Sequence, residues 1–341
     1  MINSYGQLQR LGVALATKLL AVGLPIMVAT KFGQADEQAD NTGLIRKWRR
    51  YPSFPITTAP IAEGVCPPGI PLNFTDVTMQ LQEYAVITFV TNILVENHED
   101  PIYDVAIERI KQAFAQTNEA IVIETLCAGS SVMYGGTGTT RATVDGTITL
   151  NMLRKVARSF ERARATRITS IVNAKPLINT TPVEPGYYVM GHTDLLPDIR
   201  NMTDGNGNKV FVPAVRYGQP DAAIPGERGA VEDFRFVLTD MFKPWLAAGK
   251  SVAGFLSNGD NQGAGVAANV DVYPLVAVAK DAYGVVRMKG RKDIKMAIVQ
   301  PVPAAGNWLG QRGSIGARWL FGAVWLNDAW GYRMEVAATA L

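Results

Sequence analysis

The sequence predicts an α+β fold. In the first half of the chain, apolar residues spaced three and four apart are typical of amphipathic helices, and an alternating pattern beside a proline-rich stretch is typical of a strand. In the second half, short strand patterns alternate with turns rich in Gly, Asn and Pro. A chain of 341 residues is long enough to form two or three compact lobes.

The composition excludes several functional classes. With 33 Lys and Arg against 30 Asp and Glu, the net charge of +3 is too small for a protein that coats DNA tightly along its length. The two cysteines, Cys66 and Cys127, and the two histidines, His98 and His192, are too few and too dispersed for a Cys/His zinc cluster. They also argue against a disulfide framework and fit a reducing cytoplasm.

The apolar stretch from Leu11 to Ala29 predicts an amphipathic helix and no membrane span. Lys18 and Pro25 interrupt it, and a charge near the centre of a membrane span is costly. Spacings of three and four residues place its apolar side chains in one stripe, made of Leu8, Leu11, Leu15, Leu19 and Val22. Gly23 and Pro25 predict the end of this helix.

A projecting hairpin is predicted next. The basic segment Leu44 to Tyr51 reads as its first strand, and Asn73 to Thr91 alternates like a strand. Between them, the stretch from Pro52 to Pro71 contains six prolines, a density that excludes helix and central strand. A tip of about twenty residues is longer than most loops in compact domains, and such loops usually have a function or are disordered.

Two further helices are predicted. The longer one runs from Asp100, a good N-cap, to Gly129, expected as the left-handed residue past the C-terminus. Its expected buried face consists of Ala106, Ile110, Ala113, Thr117 and Ile121. The other, from about Thr149 to Ala165, has one apolar face, and its remaining surface is rich in Arg. We expect that surface to be solvated, with an interior-facing or intersubunit role as the alternative.

Motifs that resemble catalytic or metal sites are incomplete. The glycine-rich Tyr134 to Arg141 lacks the Gly-Lys-Ser/Thr ending of a phosphate loop. The turn that starts at Asp204 begins like a calcium loop but has Val215 where a bidentate Glu is required. His98 and His192 have carboxylates nearby but no nucleophile motif. We therefore predict no catalytic residue, no cofactor and no bound metal.

The most informative polar cluster surrounds Trp48. Arg46, Lys47, Arg49 and Arg50 place four positive charges in five residues on a strand whose two faces would both be charged. One interpretation is a solvated edge that resists aggregation. Another is a contact in which the arm lies across a neighbouring subunit and pairs with its carboxylates. Direct contact with DNA is a third.

The order of these parts resembles that of the major capsid proteins of tailed phages, whose Hong Kong-type fold also occurs in herpesvirus shells and bacterial encapsulins. The local sequence is similar to the phage N4-like major capsid family, although Thr193 replaces a usual proline. Seven segments carry this resemblance: Thr30–Gln34, Arg49–Tyr51, Ala59–Pro67, Gly191–Arg200, Pro225–Asp240, Lys280–Gly290 and Leu309–Ala337.

The resemblance implies a domain plan. Residues 1–42 would form an N-terminal arm and residues 43–91 the extended β-hairpin loop with its flanking strands. Residues 92–166 would form a peripheral domain with a spine helix at 101–128. Residues 167–280 would make up most of an axial domain, and residues 281–341 would return to the core as C-terminal strands.

The resemblance also implies the partners. The main one is the chain itself, in hexamers and pentamers of an icosahedral shell that encloses double-stranded DNA without sequence specificity. Portal and scaffolding proteins would take part, and a decoration protein is a further expected partner. The scaffolding protein would be separate, since the chain begins almost at once with the arm. Shells would assemble in the host bacterial cytoplasm and reside in the virion.

Two rival interpretations remain. An encapsulin-like compartment shell would share the fold but would load enzyme cargo, and the family-specific segments disfavour it. An α+β hydrolase would use His192 and Asp194, and mutating His192 would then abolish turnover while leaving particle formation intact.

Overall fold

Two β-sheets form the framework of the molecule, and a long helix packs on the first while a shorter one packs on the second. The structure is a computed structural model, and it describes residues 2–3, 24–39, 41–61, 63–64, 66–97, 102–173, 179–216, 224–259, 268–289, 294–303 and 306–340. The helix expected between Leu8 and Val22 lies outside the described residues. Among the described helices, none has the length and apolar character needed to cross a membrane.

The described strands number eighteen and the α-helices four. The strands are β1 (Ile2–Asn3), β2 (Gln34–Gln38), β3 (Ile45–Arg50), β4 (Thr75–Gln80), β5 (Gln82–Thr91), β6 (Val132–Tyr134), β7 (Ile168–Asn173), β8 (Asn179–Gly191), β9 (Val212–Pro213), β10 (Glu227–Val231), β11 (Phe234–Leu238), β12 (Ser251–Val252), β13 (Ala268–Asn269), β14 (Tyr273–Val278), β15 (Tyr283–Met288), β16 (Lys295–Val299), β17 (Arg312–Trp325) and β18 (Gly331–Val336). The helices are α1 (Asn92–Asn97), α2 (Ile102–Cys127), α3 (Leu150–Arg162) and α4 (Leu196–Asn201).

The first sheet brings together segments from both ends of the chain. Its order is β1-β5-β17-β15-β2, with β16 also paired to β17. Strand β17 pairs antiparallel with β5, from Arg312 opposite Thr91 to Phe321 opposite Gln82. Strands β1 and β2 join in parallel, beside β5 and β15 respectively. The C-terminal strands therefore return to a sheet that also holds strands from the first hundred residues, as the sequence predicted.

The second sheet has the order β6-β18-β14-β8-β11-β10-β9, with β7 also paired to β8. Its central strands β11 and β14 are buried along their whole length, which explains their nearly continuous apolar sequence. Two smaller pairs complete the β-structure: β12 with β13, and β3 with β4. The β3–β4 pair is the predicted hairpin, but the second strand, expected as one from Asn73 to Thr91, divides at Leu81 into β4 of the hairpin and β5 of the first sheet.

Helix α2 is the predicted spine. Its 26 residues give a length of about 39 Å. Ile110 packs with Val90 and Ile315 of the first sheet, and Val122 packs nearer the C-terminus in the same core as Trp319. Of the face expected from the sequence, only Ile110 is fully buried, because the C-terminal half of the helix turns a different row of residues inward.

That row includes two polar side chains with long-range partners. Asn118 Oδ1 accepts a hydrogen bond from the indole nitrogen of Trp319 at 2.8 Å. Glu119 is fully buried, and its carboxylate accepts hydrogen bonds from the backbone N–H groups of Val28, Ala29 and Thr30. Helix α2 therefore holds the segment at residues 28–30.

The predicted role of Gly129 as a left-handed cap is wrong, because its φ is not positive. A Cβ atom at this position would lie 3.1 Å from the indole ring of Trp325. That indole donates a hydrogen bond to the carbonyl of Thr125 in the last turn of α2 at 2.8 Å. Glycine is therefore needed here for close packing and not for backbone conformation. The expected N-cap, Asp100, lies outside the described residues.

Helix α3 packs on the second sheet. Thr149 is its N-cap, with a side-chain oxygen that accepts from the N–H of Met152. Its buried face faces the core of that sheet and consists of Leu150, Met152, Leu153, Val156 and Phe160. The Phe160 ring lies 4.9 Å from the Tyr187 ring of β8, centroid to centroid.

We predict that Ile110→Pro disrupts the spine. Proline removes one backbone hydrogen bond and its ring clashes with the preceding turn, so the free energy of unfolding should fall by about 3 kcal/mol or more. Urea unfolding measures the effect, with Lys111→Ala at the exposed neighbouring position as the control. A soluble, fully stable Ile110→Pro protein would contradict this role for α2.

We also predict that Glu119→Gln loosens the segment at residues 28–30. The amide group cannot accept all three backbone N–H bonds, and a buried unsatisfied donor costs about 1–3 kcal/mol. Hydrogen exchange of the amides of Val28, Ala29 and Thr30 should become faster and the unfolding free energy should fall. Glu124→Gln, which changes an exposed carboxylate on the same helix, should change neither quantity.

Candidate assembly surfaces

The β3–β4 hairpin projects beyond its own core. Its strands pair antiparallel from Ile45 opposite Gln80 to Arg50 opposite Thr75. Beyond that ladder, the described residues between 51 and 74 form neither helix nor strand, and every one of them is exposed. The prolines predicted to prevent regular structure lie here, and an isolated two-stranded hairpin is at best marginally stable in water.

The described tip carries many exposed apolar side chains. Ile56 is the most open of them, with 85% of its surface accessible. The full set is Tyr51, Phe54, Ile56, Ile61, Ile70, Leu72 and Phe74. Contiguous exposed apolar surface of this kind marks an interaction site in soluble proteins. The tip therefore has the character of a surface that another molecule covers.

A second exposed apolar surface lies on the first sheet. Ile87 and Phe89 of β5 are exposed, and every residue of β16 is exposed. The loop between β16 and β17 adds Trp308 and Leu309, which are 83% and 78% accessible. This surface combines β5, which directly follows the hairpin in sequence, with β16 and the loop after it, which come from the C-terminal part of the chain.

Three of the four basic residues around Trp48 form ion pairs with carboxylates of the same chain. Arg46 pairs with Asp36 of β2, with 2.6 Å from Nε to Oδ2. Arg49 makes two hydrogen bonds to Asp76 of β4, at 2.8 and 3.0 Å, and these are the main cause that lowers the pKa of Asp76. Lys47 Nζ lies 3.4 Å from the same carboxylate.

These pairs leave positive charge on the hairpin. Arg50 has no ion-pair partner among the residues that the structure describes, and one carboxylate, Asp76, serves both Lys47 and Arg49. The Arg49 guanidinium also lies 4.0 Å from the centre of the Phe74 ring. Whether the cluster contacts a neighbouring subunit stays a prediction.

Trp48 anchors the base of the hairpin to the first sheet. Its half-buried ring packs in a small core with Met79, Leu81 and Val286. A Cβ atom on Gly284 would lie 3.0 Å from this ring, so glycine in β15 makes room for it. The sequence alone did not indicate this contact, because 236 positions separate Trp48 and Gly284.

The motifs that resemble ligand sites have structural roles. In the glycine-rich stretch, a Cβ on Gly135 would lie 2.4 Å from the carbonyl oxygen of Gly146, so this glycine allows two backbone segments to touch. Arg141 ends the stretch and makes two hydrogen bonds of 2.8 Å to the buried carboxylate of Glu335. Asp204 accepts the N–H groups of Asn206 and Asn208 and closes a tight turn.

The remaining candidates also lack a reactive geometry. His192 Nδ1 accepts a hydrogen bond from the N–H of Asp194 at 3.2 Å, and the Tyr273 hydroxyl donates to Asp194 Oδ2 at 3.0 Å. Burial raises the pKa of Cys127 to about 11, so its thiol stays protonated. His98 lies outside the described residues. Among the described residues, no cluster of His, Cys, Asp and Glu is arranged to hold a metal ion.

One curated protein is similar in sequence. Over 235 residues, 65% of this chain, the sequence is 23% identical to a protein of Pseudomonas phage KPP21 named major capsid protein. The match spans 57% of the length of that protein. No family model matches the chain.

Solved structures are similar over nearly the whole chain. The capsid of Ralstonia phage GP4 has a TM-score of 0.67 at 11% identity and covers 99% of this chain and 98% of that chain. The capsid of the cyanophage P-SCSP1u has a TM-score of 0.60 at 12% identity and covers 96% and 94% respectively. For the capsid of Helicobacter pylori bacteriophage KHP30 the TM-score is 0.60 at 9% identity, with 96% and 95% covered. The α+β Hong Kong-type fold expected from the sequence is confirmed.

We predict that Trp48→Ala detaches the base of the hairpin. Loss of a half-buried indole should remove about 2 kcal/mol of packing. Trypsin should then cleave at Arg49 and Arg50 roughly thirtyfold faster, because cleavage tracks the population of the opened form. Phe54→Ala, which removes an exposed ring at the tip, is the matched control. Equal cleavage rates in the two variants would contradict the anchoring role.

Proposed function

We propose that this chain is the major capsid protein of a tailed bacteriophage and assembles with its own copies into an icosahedral shell around double-stranded DNA. It is a structural protein and not an enzyme. The projecting hairpin carries the proposal: its tip is exposed along every described residue, so the contacts that order it must come from another subunit. The capsid fold and the similarity to the KPP21 protein support the same conclusion.

The exposed apolar areas fit self-assembly. A shell subunit must bury surface against several copies of itself, and stable interfaces bury on the order of 800 Å² per partner. In the proposed shell, each subunit would bury both its hairpin tip and its β5–β16 surface against neighbouring copies. Repeated use of such heterologous contacts generates closed rings and shells.

Within tailed phages, the chain belongs with the N4-like capsid proteins. The support is its own sequence, in which seven segments occur in the order typical of that family, from Thr30–Gln34 to Leu309–Ala337.

The packing of the helices supports the domain plan in part. Helix α2 lies within the proposed peripheral domain at 92–166, although the first sheet on which it packs is built from strands outside that range, and strands β7 to β14 would provide most of the axial domain at 167–280. Helix α3, from the first range, and β18, from the 281–341 segment, both join the axial sheet. Residues 1–42 form the arm and 43–91 the hairpin loop.

The residues that contact the neighbour are Arg46, Lys47, Trp48, Arg49 and Arg50. Three of the four cations pair with the carboxylates of Asp36 and Asp76, so the strand keeps a surplus of two positive charges. Carboxylates of an adjacent subunit would balance this surplus. Trp48 acts by holding the cation-bearing strand against the body of its own subunit.

A shell that packages DNA would also require other partners. Double-stranded DNA is packaged without sequence specificity, a portal protein provides its entry, and a scaffolding protein guides assembly in the host bacterial cytoplasm. A decoration protein would bind the outer surface. No cofactor or metal takes part.

Electron microscopy of the purified chain, co-expressed with the genes beside its own, tests the function. We expect closed icosahedral shells with pentamers and hexamers. Persistent monomers under all assembly conditions would contradict the proposal, and shells filled with enzyme cargo and lacking a portal would favour a compartment protein.

Charge reversal tests the lattice contact. We predict that Lys47→Glu with Arg50→Glu leaves circular dichroism and melting unchanged but abolishes shells or makes them strongly dependent on salt. Each exposed ion pair is worth about 0–1 kcal/mol, but the shell repeats it in every subunit. Lys209→Glu with Lys243→Glu makes the same charge change at other exposed positions and should assemble normally. Normal assembly of both variants at all salt concentrations would leave only the solvated-edge interpretation.

A further inference from the structure

The outer face of helix α3 is a rigid basic surface. Its inner face is anchored by Leu153, Val156 and Phe160, none of which is accessible to solvent. The N-cap Thr149 fixes the first turn. A helix held in this way presents its outer side chains from fixed backbone positions, so their spacing is defined before any partner binds.

Three cations on this face lack partners. Lys155, Arg158 and Arg162 are exposed and make no ion pair or side-chain hydrogen bond with any residue that the structure describes. By contrast, Arg154 and Arg167 at the borders pair with Glu232 and Asp233, at 2.6 and 2.9 Å. Counting these carboxylates, Glu161 of the helix and Asp204, whose charge acts on Arg154, the surface has six basic against four acidic side chains; the basic ones are Arg154, Lys155, Arg158, Arg162, Arg164 and Arg167.

The spacing of the three unpaired cations fits a row of phosphates. Positions three and seven residues apart lie within about 60° of one another around a helix. At about 1.5 Å per residue, Lys155 and Arg162 are separated by about 10 Å along the axis. Phosphates along one DNA strand recur every 3.4 Å of the duplex axis, so this row spans about three phosphate steps. Two of the three cations are arginines, which bind phosphate oxygens with two parallel hydrogen bonds.

Because the outer face of α3 has no exposed apolar surface, its expected partner is a polyanion and not another protein. Interfaces between proteins have aromatic or aliphatic side chains at their centres. Within residues 132–170 and 185–211, whose side chains the structure describes, no large hydrophobic side chain is exposed. Most of the exposed large hydrophobic side chains lie instead on the hairpin, on β5 and around β16, and the remaining ones are Leu24, Ile26, Ile93, Val212, Val215 and Leu246. The α3 face therefore differs in kind from the surfaces proposed for subunit contacts.

We propose that the outer face of α3 binds the phosphate backbone of duplex DNA through Lys155, Arg158 and Arg162. This inference rests on the proposed function in identifying the polyanion as packaged DNA. The contact is weak in each subunit, since the net charge of the chain is only +3, and the shell repeats it in every copy. No base is read, so the binding has no sequence preference.

The salt dependence of DNA binding by the full chain tests the proposal. Fluorescence anisotropy with a short duplex of random sequence gives the slope of log K against log salt concentration, which is about 0.9 per phosphate contact. Replacing Lys155, Arg158 and Arg162 with Gln should weaken binding and reduce the slope by about 2–3. Arg158→Lys with Arg162→Lys keeps the charges and should keep the slope.

The matched control replaces Lys47, Arg49 and Arg50 of the hairpin with Gln and should leave the slope unchanged. An equal loss of slope in both triple variants, or no measurable DNA binding by the unaltered chain at low salt, would overturn the assignment. So would a triple α3 variant that binds DNA normally but fails to assemble, because its cations would then face an acidic neighbour. Shell formation is scored separately, so failure of the proposed function leaves the DNA result readable.

Discussion

The antiparallel ladder between β5 and β17 is the contact on which the rest of the molecule depends. It joins residues 82–91 to residues 312–321 and carries the core against which α2 packs. Strand β17 also pairs with β15 and β16, and β15 in turn holds β2. The base of the hairpin packs on the same sheet through Trp48. The pairing therefore connects parts of the chain that are distant in sequence within one sheet.

Buried polar groups determine where the projecting segments leave the core. Glu119 binds three consecutive backbone N–H groups, and Asn118 binds the indole of Trp319, so one turn of α2 connects the residue 28–30 segment with β17. Such groups are costly to bury unless every bond is made, which selects one arrangement over others that pack equally well. The segment at residues 28–30 and the base of the hairpin are thus each fixed to the body of the molecule.

Apolar and basic side chains are exposed on different parts of the molecular surface. Apolar side chains are exposed on the hairpin tip, on β5 and around β16, where burial against another protein would stabilise an assembly. Helix α3 instead presents cations without exposed apolar neighbours, which suits a hydrated polyanion. In the proposed shell a subunit would meet both kinds of partner, and separate surfaces would prevent DNA from competing for the subunit contacts.

The sequence by itself determined the secondary-structure elements that depend on neighbouring residues in the chain. Six prolines prevented regular structure between 52 and 71, alternation defined β4 and β5, and the cap at Thr149 with its apolar stripe defined α3. The order of these elements, together with the family segments, was sufficient to predict the fold. Only the tertiary structure decided the partners of side chains whose contacts are distant in sequence. Nothing in the sequence indicated that Glu119 binds the backbone at Val28, and the pattern predicted Gly129 as a cap, although the position is occupied by glycine because Trp325 packs against it. A local pattern records the conformation that a segment prefers, whereas burial of a charge or removal of a Cβ depends on which remote segment packs against it.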